Sequence, residues 1–359
     1  MVMRRNFAAA ILACSLVQMM TPAALRAAEA GRSQRAELGV GIRINAADDQ
    51  ETAWKAHEAS LRQALAASGT PRNVALAALE NSVSVNASRT LQVEPLLRAA
   101  MGARDDALVQ WLIANRLIGS DNDARVDALV ANAAHLEPDN AAVWGLALVL
   151  ASKRSEASAI DDALAHMAAS TRSDEHFADT VRAWYEIYEH NPFPQSMFAK
   201  PSDADNATFV AAIARAAATA LAGNQRLVQV CKESVGANPS TSRAADCAAI
   251  GHLMLYHSTT MLGRRMGFAL LRNLGGDVVT SEDKALQRNL EWVLVEYSAG
   301  EDSVDKDPIA MHAYATDWLN FDDEYEIMQR ALRRRGLSTD APSDWQPSEH
   351  VSIAQASSR

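Results

Sequence analysis

Apolar side chains recur along this chain at intervals of three and four residues, the spacing that gathers one face of an α-helix. Trp54, Glu58, Leu61 and Leu65 step by four, three and four, and Gly69 supplies a stop. Thr70-Pro71 then reads as a cap with proline in the first turn, opening a second helix through Leu76, Leu79 and Val83. The same pattern predicts helices over about 95–101, 105–118, 124–136, 139–152, 156–170 and 174–190. A later set falls over about 206–222, 224–235, 243–257, 259–273, 281–299, 308–319 and 322–335. The punctuation between most of them is only a few residues long, which makes sequential helices antiparallel neighbours. The expected fold class is all-α, an array of antiparallel helical hairpins.

Segments outside this pattern set the expected organisation. Arg4 and Arg5 precede an apolar stretch from Phe7 to Met20, and Ala28-Glu29-Ala30 is an A-x-A end. Residues 1–30 therefore read as a signal peptide cleaved before Gly31, with a periplasmic destination. The alternative is a lipoprotein anchored at Cys14, after Ile11-Leu12-Ala13. Residues 31–48 read as a linker and 49–190 as an N-terminal helical-hairpin region. Asn191-Pro192-Phe193-Pro194 opens a proline-containing connection over 191–205. Residues 206–336 follow as a C-terminal helical region, so the chain can form two packed helical halves. Residues 337–359 read as a disordered tail, with Trp345 as a candidate anchor. After signal cleavage no segment is long and uncharged enough to span a bilayer.

Ala107–Asn140 and Ala141–Asp174 are both 34 residues long, with Leu136-Glu137-Pro138-Asp139-Asn140-Ala141-Ala142-Val143-Trp144 at their junction. Pro138, Trp144 and Ala133 match strongly, and small or apolar residues fill most other template positions. This stretch resembles tetratricopeptide repeats, and with a shift upstream to Asn73 the resemblance covers about residues 73–174. It implies an α-solenoid, a superhelix with a concave surface for an extended partner, but carries no ligand-binding residue over. A generic array of helical hairpins meets the same template in an alanine-rich chain.

The net charge is −10, and the part after residue 30 holds 31 basic against 43 acidic residues. Nucleic acid is therefore a poor partner. The basic run Arg333–Arg335 sits where a helix should end, and cations there complement the helix dipole. Cys231 and Cys247 lie eight positions either side of Pro239, between a helix stop and a helix start. In an oxidising compartment they read as a structural disulfide rather than a zinc or redox site.

No motif carries chemistry. His252 and His257 are five apart, about 140° around a helix, and do not chelate from one face. Asp105-Asp106 and Asp322-Asp323-Glu324 lie at expected helix starts, where acids are favoured without any catalytic role. His257-Ser258-Thr259-Thr260 reads as a helix cap. No cofactor, metal ligand or catalytic residue is assigned. Trp184, Tyr185, Tyr188, Phe193 and Phe198 form the densest aromatic patch and are the candidate interaction surface, against the competing reading of core packing. The expected function is a protein or peptide interaction module of the bacterial cell envelope. The alternative is an envelope enzyme, such as a carbohydrate-active one on a helical toroid, with unidentified carboxylates.

Overall fold

A computed structural model of the chain describes residues 44–83, 93–118, 124–195, 198, 201–219, 225–235, 241–304 and 308–346. The expected signal peptide, its cleavage point and Cys14 lie outside the described residues. Among the described residues there are fifteen α-helices and no strand. The first seven are α1 (Ile44–Ala67), α2 (Pro71–Val83), α3 (Val93–Gly102), α4 (Ala107–Leu117), α5 (Ala124–Leu136), α6 (Ala141–Lys153) and α7 (Ala157–Ala169). Then come α8 (Phe177–His190), α9 (Pro201–Thr219), α10 (Gln225–Ser234), α11 (Thr241–His257) and α12 (Met261–Leu274). The last three are α13 (Ser281–Val304), α14 (Pro308–Asn320) and α15 (Glu324–Arg334).

The caps explain many of the boundaries. Asp106, Asn140, Thr260 and Asp323 each accept a backbone N–H of the first turn of α4, α6, α12 and α15, as short polar residues do at helix starts. Arg333 and Arg334 occupy the last turn of α15. No helix among the described residues is long and apolar enough to cross a membrane.

Two cores hold the helices together. The larger draws mainly on α1–α5, α8, α9 and α13–α15, with Trp111 and Trp184 fully enclosed. The smaller is built from α6, α7, α10, α11 and α12. Helix α6 joins them, turning Val143 and Leu146 into the first and Leu148 and Ala151 into the second. Within the smaller core α11 and α12 pack most closely, because Gly251 and Gly267 bring their backbones together.

Three expected boundaries are corrected. The linker over 31–48 is already helical from Ile44, where α1 begins. The connection over 191–205 does not divide two cores: α8 and α9 on its two sides pack against each other in the larger core, and α9 opens at Pro201. The prolines there break the helix and turn the chain back. The tail expected to be disordered over 337–359 lies along α13 as far as it is described. Trp292 Nε1 donates to the Ser338 carbonyl at 3.0 Å, Ala341 N donates to Asn289 Oδ1 at 3.1 Å, and Trp345 packs edge-on against Trp292. Residues 347–359 lie outside the described residues.

Candidate functional site

The aromatic patch comes together but faces inward. Trp184, Tyr188 and Phe193 are buried, with Tyr188 and Trp54 both stacked on Phe193 at 5.0 Å. Tyr185 and Phe198 are half-buried and meet Phe209 and Phe193 edge-on. Beneath them Arg215 pairs with Glu58 and with Glu80 and donates to the Tyr188 hydroxyl at 3.2 Å. This is packing between α1, α2, α8 and α9 rather than an open binding surface. Cys231 and Cys247 form a disulfide joining α10 to α11, their Cα atoms 5.7 Å apart, inside the smaller core.

A charged concave feature lies elsewhere. A cavity of about 460 Å³ is lined by Arg72 of α2, Asp105 and Asp106 before α4, Glu137 after α5, and Asp179, Arg182 and Glu186 of α8, with His176 at its inner wall. Its rim is paired: Arg72 bonds Asp106 at 2.6 Å, and Arg182 bridges Asp179 at 2.6 Å and Asp322 at 2.5 Å.

The wall is positioned by the short extended segment between α7 and α8. Ala141 N donates to the Arg172 carbonyl and Ser173 N to the His257 carbonyl, while Thr259 N donates back to the Ser173 carbonyl, so the segment is gripped by the start of α6 and by the junction between α11 and α12. Asn140 and Asp174 are bonded twice, Asp174 N to Asn140 Oδ1 at 2.9 Å and Asn140 Nδ2 to the Asp174 carbonyl at 3.0 Å. Arg172 reaches Glu137 at 2.7 Å and Asp174 at 3.1 Å.

His176 caps α8 in the left-handed region, φ 53°, while buried to 4% exposure. Its Nε2 lies 2.7 Å from Glu137 Oε2 and its Nδ1 3.1 Å from Asp179 Oδ2. Burial opposes charge on the ring, but the bonds to Asp179 and Glu137 and the field of Asp174 outweigh it and push the pKa up to about 10. The imidazole is thus a fixed cation at neutral pH. Glu137, although desolvated, is held down at about 2 by His176 and Arg172, and Asp179 is held well below the usual carboxylate range, chiefly by its bond to His176.

Behind this wall two carboxyls go the other way. Glu175 is buried against Ser258 and Thr260, and desolvation reinforced by Asp174 pushes it up to about 8. Glu324 accepts Met261 N at 2.7 Å, and desolvation lifts it to about 7. Asp323, next to it, pairs with Arg264 at 2.6 Å.

A cationic histidine locked between two carboxylates is no general base. What the cavity offers is a set of fixed charges of both signs. Asp174, His176 and Asp179 are also the one group of three possible metal-ligating side chains among the described residues, with one ligand atom from each lying within 4.8 Å of the others. Sequence reasoning did not single out Glu137, His176, Asp179 or Arg182. Only the spacing Asp174-x-His176-x-x-Asp179 was a local signal. No family model, no curated protein and no solved structure matches this chain.

Proposed function

We propose that this chain is an exported protein of the bacterial cell envelope, built as an array of helical hairpins, that binds an extended segment of another envelope protein along the charged cavity. The observation that carries this reading is the cavity's lining. It draws on α2, the start of α4, the α5–α6 junction and α8, the leading helices and junctions of successive hairpins. Stacked hairpins build a concave surface in that way.

Two further features support a repeat-like array over unrelated hairpins. Besides the contacts within each hairpin, α2 packs on α4, α3 on α5 and α4 on α6. Arg72 bonds Asp106 and Asn140 bonds Asp174, each pair 34 positions apart, so equivalent places in neighbouring units are tied together. The disulfide fits an oxidising compartment.

The lining holds more acids than bases, which favours a partner segment bearing Lys or Arg, with Arg72 and Arg182 left to meet its carbonyls or a carboxylate. Among the described residues no Trp, Tyr or Phe ring lines this wall, which weighs against the carbohydrate-active alternative. The test is in-cell photo-crosslinking with the reactive residue placed at Asp105 or Glu186 in the groove and at Lys284 outside it. The reading expects one protein captured from both groove positions and not from Lys284. Capture that is equal at all three positions, or absent, would sink it.

A further inference from the structure

We propose that the side of α13 bearing Arg288, Asn289 and Trp292 is a second peptide-docking surface, that residues 338–345 are a strap occupying it, and that the strap gives way to a segment of another protein with the same Asp-x-Pro-x-x-Trp pattern. Arg288 and Asn289 lie four and three positions before Trp292, so all three share one side of the helix. They read the main chain of the strap. Trp292 Nε1 donates to the Ser338 carbonyl at 3.0 Å, and Asn289 Oδ1 accepts Ala341 N at 3.1 Å. The Arg288 guanidinium donates to the Ala341 carbonyl at 2.9 Å and also to that of Pro342. Two strap side chains add selectivity: Asp340 Oδ1 accepts Asn289 Nδ2 at 3.3 Å, and Trp345 meets Trp292 edge-on at 5.6 Å.

Burial makes the strap detachable. Leu337 still packs against the larger core, but none of residues 338–346 is buried, and Ser338, Asp340, Pro342, Ser343 and Asp344 are exposed. Water can therefore replace the strap's hydrogen bonds without orphaning a polar group, which is the property of segments that open locally.

The strap also shapes itself. The Ser338 hydroxyl accepts Asp340 N at 3.0 Å and donates to the Asp340 carbonyl at 2.9 Å, and Trp345 N donates to the Pro342 carbonyl at 3.0 Å. It docks as a preformed unit, and a separate segment of the same pattern presents the same groups to α13 at little ordering cost. While attached, the strap has the advantage of a high effective concentration, so it keeps the surface closed to a free segment until its own grip is weakened. The charged cavity shares none of these residues, so this surface does not depend on the reading given above.

The experiment is fluorescence anisotropy of a labelled synthetic peptide with the sequence of residues 337–346, titrated with the full chain as wild type and as Trp345→Ala, beside a scrambled peptide of the same composition. Trp345 lies outside both cores, so its removal leaves the fold intact, and Asp340→Lys at an exposed position is a second variant that loosens the strap. Expected is binding about tenfold or more tighter in either variant than in wild type, lost again when Asn289→Ala is added, with no binding of the scrambled peptide. Equal affinity in wild type and both variants, no binding to the variants, or equal binding of the scrambled peptide overturns the proposal and leaves residues 338–345 as a fixed part of the fold. So does a wild-type chain that dimerises with concentration and loses this in Trp345→Ala, since the occupant is then a second copy.

Discussion

Nε2 of His176 lies 2.7 Å from Oε2 of Glu137, thirty-nine positions earlier in the chain, and thereby fastens the start of α8 to the turn between α5 and α6. Both side chains are largely withdrawn from water. Removing one partner of such a pair leaves the other charge buried, at a cost of about 3 kcal/mol. Glu137→Ala is therefore expected to lower the urea midpoint by that order at neutral pH.

The pH dependence of that pair has a definite sign. His176 is raised from 6.5 to about 10, so its stabilisation is complete below pH 6.5 and is lost as pH rises through 10. Glu137 is lowered from 4.5 to about 2, so its share is present above pH 4.5 and fades as pH falls through 2. Urea titrations from acid to alkaline pH should show wild type converging on Glu137→Ala at both extremes. A constant gap across the whole range would exclude the assignment.

Glu175 and Glu324 impose a second slope. Both are raised from 4.5, to about 8 and about 7, so folding favours their protonated forms. Their contribution is complete below pH 4.5 and is lost as pH rises through 7 and 8. Glu324→Gln keeps a neutral acceptor for Met261 N. Expected is a flatter stability profile between pH 4.5 and 7 and a variant more stable than wild type at higher pH. Parallel profiles would show that the Glu324 carboxyl is not raised.

Gly267 is fixed by sterics. A Cβ built there would run into the Leu255 backbone nitrogen and come within 2.6 Å of the Gly251 carbonyl oxygen, both rigid parts of α11. Gly267→Ala should destabilise the fold by about 2 kcal/mol despite alanine's better helix propensity. Thermal unfolding of Gly267→Ala beside an exposed control, Ala285→Gly, separates packing from propensity. The control should lose only about 1 kcal/mol.

The disulfide closes a loop of 16 positions. In the chain-entropy description that is worth about 3 kcal/mol. Cys231→Ser with Cys247→Ser, or the wild type under reductant, should show that loss in denaturant unfolding. Equal stability with and without reductant would contradict it.

Much of the helical pattern was legible because alanine-rich segments with three–four spacing and polar caps leave few alternatives. Asp106, Thr260 and Asp323 do cap the helices they were expected to open. The start of α9 was missed by about one turn because Pro201 opens the polar stretch Pro201-Ser202-Asp203-Ala204-Asp205, although proline is tolerated in a first turn. The docking of residues 337–346 was hidden for a different reason: it depends on backbone hydrogen bonds to Asn289 and Trp292, which no composition reveals. The cavity was least legible. Glu137, His176, Arg182 and Asp322 are scattered over nearly two hundred positions, and each alone looks like a solvated charge or a helix-end residue. The aromatic patch shows the converse, since residues dense in sequence around the α8–α9 turn were gathered for packing.

The most direct test of the peptide-binding account is the affinity of the captured partner segment for wild type and for a chain with Asp105→Lys and Glu186→Lys. Both side chains line the cavity and are exposed, so the fold should survive the change. A weakening of about tenfold or more, corresponding to about 1.4 kcal/mol and diminishing with added salt, is the predicted result. Unchanged affinity at low salt would contradict the claim that this groove is where the partner lies.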